Sequence, residues 1–259
     1  MSIVTTFFAC LLAAAIVMVV AFLISEKISR VSFVDAMWGI TFIVIAITSL
    51  VINTVSSGAA IVMALLVVVW GLRLASHLLP RVLQSKADDR RYVELISKWR
   101  TSNKSLSIFF RIFLVQAVLA TIVMMPVIVT ASAGDGVALT PFAYIGIIMW
   151  LIGFVIESMA DWQLRKFVQK NNGELMTTGL WRYSRHPNYF GEITQWIGIG
   201  LIGLSAPYGL IGLVGPLLIG YLITRVSGVP LAEKNMHKRK GWQDYVRRTS
   251  VLIPLPPRS

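Results

Sequence analysis

Arg182, Arg185, His186, Asn188 and Glu192 crowd together at the entrance to an apolar run, within Gly179-Leu-Trp-Arg-Tyr-Ser-Arg-His-Pro-Asn-Tyr-Phe-Gly-Glu192. A chain that is 56% hydrophobic has no solubility reason to place them there. An ionisable group at the centre of a membrane helix costs about 2.5–3.5 kcal/mol on insertion scales, so such groups mark function or pairing. Arg182, Arg185 and His186 together suit a pyrophosphate or ribose phosphate, because arginine presents a fork that matches phosphate oxygens. The Asn188 carboxamide offers donors and an acceptor, the set that a carboxamide such as nicotinamide requires. Pro187 disfavours helix at His186, so the helix starts near Asn188. Glu192 then lies one turn further along the same face. The competing structural reading is an arginine-rich interfacial anchor with Glu192 as its counter-ion. Asn188 and Glu192 add nothing to an anchor, which favours a binding site.

Two further stripes repeat the helical spacing. Glu157, Asp161 and Arg165 recur every four residues at the end of one apolar run and share a face. Asp161 and Arg165 are spaced to pair, a contact worth a few tenths of a kcal/mol, but two carboxylates on the last turns favour the lining of a polar pocket. Arg73, His77 and Arg81 form the second stripe, and Asp35 is the anionic candidate to partner the deeper Arg73. In the tail, Arg225, Glu233, Asn235 and Tyr245 either close the site from below or belong to a solvated basic segment.

The elements that carry these residues are membrane helices. Mean hydropathy is +0.73, and runs of about 20 apolar residues span a bilayer. Such runs occur near 3–24, 33–53, 58–79, 108–131, 142–160, 191–204 and 206–224, the sixth being short. In lipid they must be helices. The chain is therefore expected to be an all-α integral membrane bundle of about seven transmembrane helices, a single membrane domain over 1–259. All 24 Lys and Arg fall at alternate ends of these runs, which places the N-terminus outside and the C-terminus in the cytoplasm. The first run lacks a basic n-region and is too long for a typical signal-peptide core, so it is expected to be retained rather than cleaved.

The net charge of +12 is accounted for by basic loops that orient the protein and meet anionic membrane lipids, not by nucleic acid. Cys10 is the sole cysteine, which excludes an intrachain disulfide and a cysteine-rich metal site. Three scattered histidines are too few for a zinc or di-iron site, so no metal is expected. A short surface helix is expected over 92–100, and the tail 226–259 suits a segment lying at the membrane interface. Gly198-Ile-Gly200-Leu-Ile-Gly203 has dinucleotide-fold spacing, but inside an apolar run it reads as close helix packing.

Leu180-Trp-Arg-Tyr-Ser-Arg-His-Pro-Asn-Tyr-Phe-Gly-Glu192 resembles the signature of the steroid 5-alpha-reductase superfamily, membrane enzymes that reduce lipid double bonds with NADPH. The similarity covers roughly 157–256, with weaker agreement over 73–92. It implies that Asn188 and Glu192 line the NADPH site and that Asp161 and Arg165 supply a second cofactor contact. His77-Leu-Leu-Pro-Arg81 is similar to the family's His-Tyr-x-x-Arg, which gives Arg81 a phosphate role. Asp244-Tyr245 to Leu252-Ile-Pro254 matches the family's C-terminal ending. The family's substrate-polarising Tyr falls at Leu78, and its Gln-Glu pair at Val34-Asp35. The cofactor half is thus kept while the substrate half has changed. Phe33-Val-Asp-x-x-Trp-Gly39 in the second span resembles a bacterial branch, for which the inner membrane is the expected location.

The resulting expectation is an NADPH-dependent reductase of a conjugated C=C bond in a lipid-like small molecule, with no nucleic-acid or protein partner. Arg81, Arg165, Arg182 and Arg185 would hold the cofactor's phosphates and its nicotinamide would sit near Asn188 and Glu192, with Asp161, His186 and Arg225 as further cofactor contacts and Glu192 also counted as catalytic. Asp35 or His77 would protonate or polarise the carbonyl end. One alternative is an S-adenosylmethionine-dependent membrane methyltransferase of the isoprenylcysteine or phospholipid type, which shares Arg-His-Pro-x-Tyr-x-Gly. Against it, Glu233 stands alone where those enzymes show paired acids. A non-catalytic lipid-binding protein is the third reading.

Overall fold

The computed structural model describes residues 1–85, 87–170 and 174–258. It is 76% helical, with no strand among the described residues. The all-α expectation holds. In chain order the long elements are α1 (Ile3–Ile28), α2 (Phe33–Ile52) and α3 (Gly58–Gln84), followed by the short α4 (Arg90–Ser97). Next come α5 (Lys104–Ile108), α6 (Leu114–Val123) and α7 (Met125–Ser132), with a π-helical stretch at Phe109–Phe113. Then follow α8 (Pro141–Lys170), α9 (Pro187–Gly203), α10 (Gly209–Gly212), α11 (Val214–Tyr221), α12 (Val229–Glu233) and α13 (Trp242–Arg248). Six helical stretches among the described residues are long and apolar enough to cross a membrane: α1, α2, α3, Lys104–Val123, α8 and Gly209–Lys238. The short sixth run falls on α9, whose 17 residues lie outside that set.

The described residues form two compact units, Met1–Ala143 with Ile202–Gly215, and Tyr144–Leu201 with Pro216–Ser259. In the first unit, α1 turns Thr6, Cys10, Ala14, Met18 and Ser25 inward at nearly four-residue spacing and leaves Phe8, Leu12, Ile16 and Leu23 exposed. An apolar outer face beside a stripe of small inner residues suits a helix bathed in lipid. α2 and α3 approach at backbone distance, since a Cβ on Gly71 would lie 2.6 Å from the Gly39 carbonyl oxygen. Trp38, Phe42 and Trp70 stack alongside in tilted and edge-on pairs. The run expected over 108–131 is broken. Met124 leaves helical geometry, and Pro126, which has no N–H to donate, sits in the first turn of α7.

The expected surface helix is α4, two residues earlier than the spacing indicated. Asp89 caps it by accepting the Arg91 N–H at 2.9 Å. In the second unit, Gly198 packs as close helix contact requires: a Cβ there would lie 2.5 Å from the Gly146 carbonyl oxygen. The glycine-rich spacing is a packing feature within a helix.

Candidate active site

The second unit builds its polar centre on α8 and α9, which meet through glycines. A Cβ on Gly191 would come within 2.6 Å of the Glu157 amide nitrogen and of the Gly153 carbonyl oxygen. With the backbones this close, side chains one helical turn either side are pressed together. Gln195 Nε2 of α9 donates to Glu157 Oε2 of α8 at 2.7 Å. Towards the other end of the pair, Asn188 Nδ2 donates to Asp161 Oδ1 at 3.1 Å. Glu157 and Gln195 are 3% and 1% exposed, so this contact is sealed from solvent. The carboxamide oxygens of Asn188 and Gln195 are buried and have no hydrogen-bond partner among the described residues. Glu192 is half-buried on α9, one turn from Asn188, and Arg165 is exposed on α8.

Pro187 opens α9, as its missing N–H and restriction of His186 require. Before it, the 3₁₀ turn Gly179–Arg182 is docked on α8. Trp181 Nε1 donates to the Ala160 carbonyl at 3.1 Å, and Leu180 N–H donates to Gln163 Oε1 at 3.0 Å. Gly179 holds a positive φ of 62° there, and a Cβ would lie 2.6 Å from the Gln163 amide oxygen.

Arg185 and His186 are both engaged within the protein. Arg185 is 7% exposed; its Nε donates to Glu233 Oε1 at 2.8 Å and its Nη1 to the Val246 and Thr249 carbonyls at 3.3 Å. His186 Nε2 meets the same Glu233 oxygen at 2.9 Å. The guanidinium also lies over the Trp242 ring, 5.6 Å from its centroid. Arg185 thereby ties the tail to the signature. The tail is further held by Arg185 N–H on the Ser250 carbonyl at 2.9 Å, Ser184 Oγ on the Leu252 carbonyl at 2.7 Å, and Tyr245 Oη on the Trp181 carbonyl at 2.6 Å. Burial pushes the His186 imidazole below its usual range, against the pull of the Glu233 carboxylate. Burial likewise raises the Tyr245 phenol. Arg182 and Arg225 remain exposed.

Asp35, His77 and Arg81 belong to the first unit. Asp35 Oδ1 accepts the Tyr92 hydroxyl at 2.5 Å, and Oδ2 accepts Arg91 Nη2 at 2.9 Å. Asp88 accepts the Val31 and Ser32 N–H groups at 2.8 and 3.0 Å, so the loop before α4 is bound to the start of α2. Burial raises the Tyr92 phenol, and the Asp35 charge raises it further. Asp89 is also desolvated, which raises its carboxyl, but Arg91 outweighs this and holds it below the usual range, with Arg81 adding its charge. His77 is half-buried on α3, and Arg81 is exposed on its last turn.

Sequence reasoning missed Gln195, which is hidden in an apolar run, and Tyr92 as the partner of Asp35. For Tyr92 a signal existed: Asp88-Asp-Arg-Arg-Tyr92 concentrates charge at the centre of one loop. Among the described residues, no group of three His, Cys, Asp or Glu could hold a metal ion.

The family described as "Protein of unknown function (DUF1295)" matches residues 21–249. The 3-oxo-5-alpha-steroid 4-dehydrogenase 1 of Rattus norvegicus is 30% identical over 112 residues, 42% of this chain and 40% of the rat protein. The Mus musculus protein of the same name matches to the same extent. An uncharacterized protein of Schizosaccharomyces pombe is 25% identical over 181 residues, 61% of this chain and 52% of that protein. The matched stretches therefore span about half or less of these relatives. No solved structure matches. Nothing in these likenesses supports the methyltransferase reading.

Proposed function

Because the chain belongs to the DUF1295 family, a steroid 5-alpha-reductase-like family, we propose that it is a membrane reductase that saturates a C=C bond conjugated to a carbonyl in a lipid-like molecule, with NADPH as reductant. The observation that carries this reading is the Asn188 carboxamide: its N–H is fixed on Asp161, while its oxygen is buried without a partner. An amide N–H of a bound ligand satisfies that oxygen, and the nicotinamide carboxamide is such a donor. When bound, NADPH supplies the hydride. Asp161 orients Asn188, and Glu192 borders the same turn. Arg165, Arg182 and Arg225, exposed on the second unit, are offered to phosphate oxygens. Arg185 and His186 shape the site by holding the tail. In the first unit Arg91 and Tyr92 keep Asp35 an acceptor. The resemblance to the rat and mouse proteins supports a 3-oxo-4-ene steroid as the first substrate to try.

The test is equilibrium NADPH binding to detergent-purified protein. Saturable binding is expected, weakened about tenfold in Asn188→Ala by loss of one hydrogen bond to the ligand. Asn188→Ala should also lower turnover of a 3-oxo-4-ene steroid with unchanged membrane insertion. Absent binding, or Asn188→Ala and Glu192→Ala variants that both keep full activity, would remove the reading.

A further inference from the structure

We infer that the helix pair α8–α9 carries a second ligand subsite, inward of Asn188, where the amide oxygen of Gln195 accepts a hydroxyl group of the lipid substrate. The inference rests on the reductase reading above and adds to it a class of lipid, one bearing a hydroxyl remote from its reducible bond. It starts from where the second unit leaves polar atoms unmet. Asn188 Oδ1, Gln195 Oε1 and Ser158 Oγ are all buried without a hydrogen-bond partner among the described residues. All three belong to α8 and α9. The helices run antiparallel here, since Asn188 meets Asp161 while Gln195 meets Glu157. Ser158 lies between those two levels on α8. The open oxygens therefore succeed one another inward along one helix pair. Asn188 and Gln195 are separated by about 10 Å along the axis of α9.

The Gln195 side chain is held in place. It is 1% exposed, and its Nε2 donates to Glu157 Oε2 at 2.7 Å and to the Gly191 carbonyl at 3.4 Å. A Cβ on Gly153 would lie 2.8 Å from Gln195 Cγ, so the stem is pinned against α8 as well. With its nitrogen committed, the carboxamide presents its oxygen to whatever else enters.

Donor and acceptor chemistry then selects the ligand group. An amide oxygen only accepts, so a ligand ketone or ether gives it nothing, whereas an O–H satisfies it. Ser158 Oγ both donates and accepts, and a hydroxyl suits it equally. The cofactor's own hydroxyls lie elsewhere in this reading. Its phosphates go to Arg165, one turn beyond Asp161 on α8, and to Arg182, which precedes α9. Its ribose groups then stay outward of Asn188, and the donor that reaches Gln195 belongs to the substrate. Gln195 is thus a specificity-determining residue: no bond is made or broken at it.

The experiment uses full-length protein in liposomes and two 3-oxo-4-ene steroids that differ only in carrying a hydroxyl or a ketone on the ring farthest from the enone. Equilibrium binding without nucleotide and NADPH-dependent turnover are both measured. Wild type should bind the hydroxyl compound about 10- to 100-fold more tightly, the effect of one buried acceptor met rather than left open. Gln195→Met keeps the shape without the amide and should bring the two steroids within about threefold of each other, with NADPH affinity unchanged. Ser158→Ala removes only the open Oγ and should shrink the preference by about threefold; it decides with the wild-type ratio should Gln195→Met fail to insert. A wild type that binds both steroids equally, or neither, would overturn the inference. So would a Gln195→Met variant that keeps the full preference, or one that loses NADPH affinity, which assigns the oxygen to the cofactor. A hydroxyl preference that depends on Gln195, without NADPH binding or turnover, keeps the subsite and removes the reductase reading.

Discussion

The loop before α4 and the helix pair α8–α9 handle charge in opposite ways. In the first, Arg91 and Tyr92 hold Asp35 while Asp88 binds the backbone at Val31 and Ser32. Each acid there has a fixed job, tying a loop to the start of α2. In the second, Asn188 and Gln195 meet Asp161 and Glu157 and keep their own oxygens open. Arginine locks a carboxylate, whereas a carboxamide tolerates a change in it. The contrast lies in the partner that reaches each acid: a guanidinium for Asp35, a carboxamide for Asp161 and for Glu157. Arg185, within the signature itself, falls on the holding side because Glu233 receives it.

That division sets the order of expected effects. Arg185→Ala strips a buried counter-ion from Glu233 and a donor from the Val246 and Thr249 carbonyls. It should cost about 3–5 kcal/mol, read as a lower Tm and early proteolysis beyond Glu233. A variant as stable as wild type would move Arg185 back among the ligand-binding residues. Gly191→Ala is next, since its methyl would meet the Glu157 amide nitrogen and the Gly153 carbonyl. A loss of about 1–3 kcal/mol is expected from overpacking, together with loss of NADPH binding as α8 and α9 separate.

Acid should weaken the holding side. His186 titrates lower in the folded chain than its usual value of about 6.5. Its neutral form is therefore the folded one, and stability is complete above about pH 6.5 and falls as pH drops below it. Tm measured at pH 7.5 and 5.5 should fall on acidification, and less so in His186→Gln. Asp35→Asn should have the smallest effect, about 0.5–1 kcal/mol, because Arg91 is nearly half exposed and keeps Asp89. A larger loss would show that Asp35 does more than anchor the loop.

Much of this was legible from local pattern. The apolar runs gave membrane helices because lipid leaves the backbone no alternative. Pro187 marked the start of α9, and the Glu157-Asp161 spacing placed both carboxylates on one face. The break at Met124 was not legible, since a hydropathy run hides a single turn that leaves helical geometry. The partners were not legible either. Arg185 and Glu233 are 48 residues apart, and Tyr92 and Asp35 are 57 apart. Gln195 sits inside an apolar run, where a single amide does not stand out.

By itself the sequence determined which segments are helices, which faces carry charge and which family signature is present, because each depends on residues within a turn or two of one another. The tertiary structure decided what each charge is for. Which distant side chain reaches a carboxylate, Arg91 on Asp35, Arg185 on Glu233 or Gln195 on Glu157, is a choice local pattern does not make. That choice is made by helix contacts as close as Gly153 on Gly191.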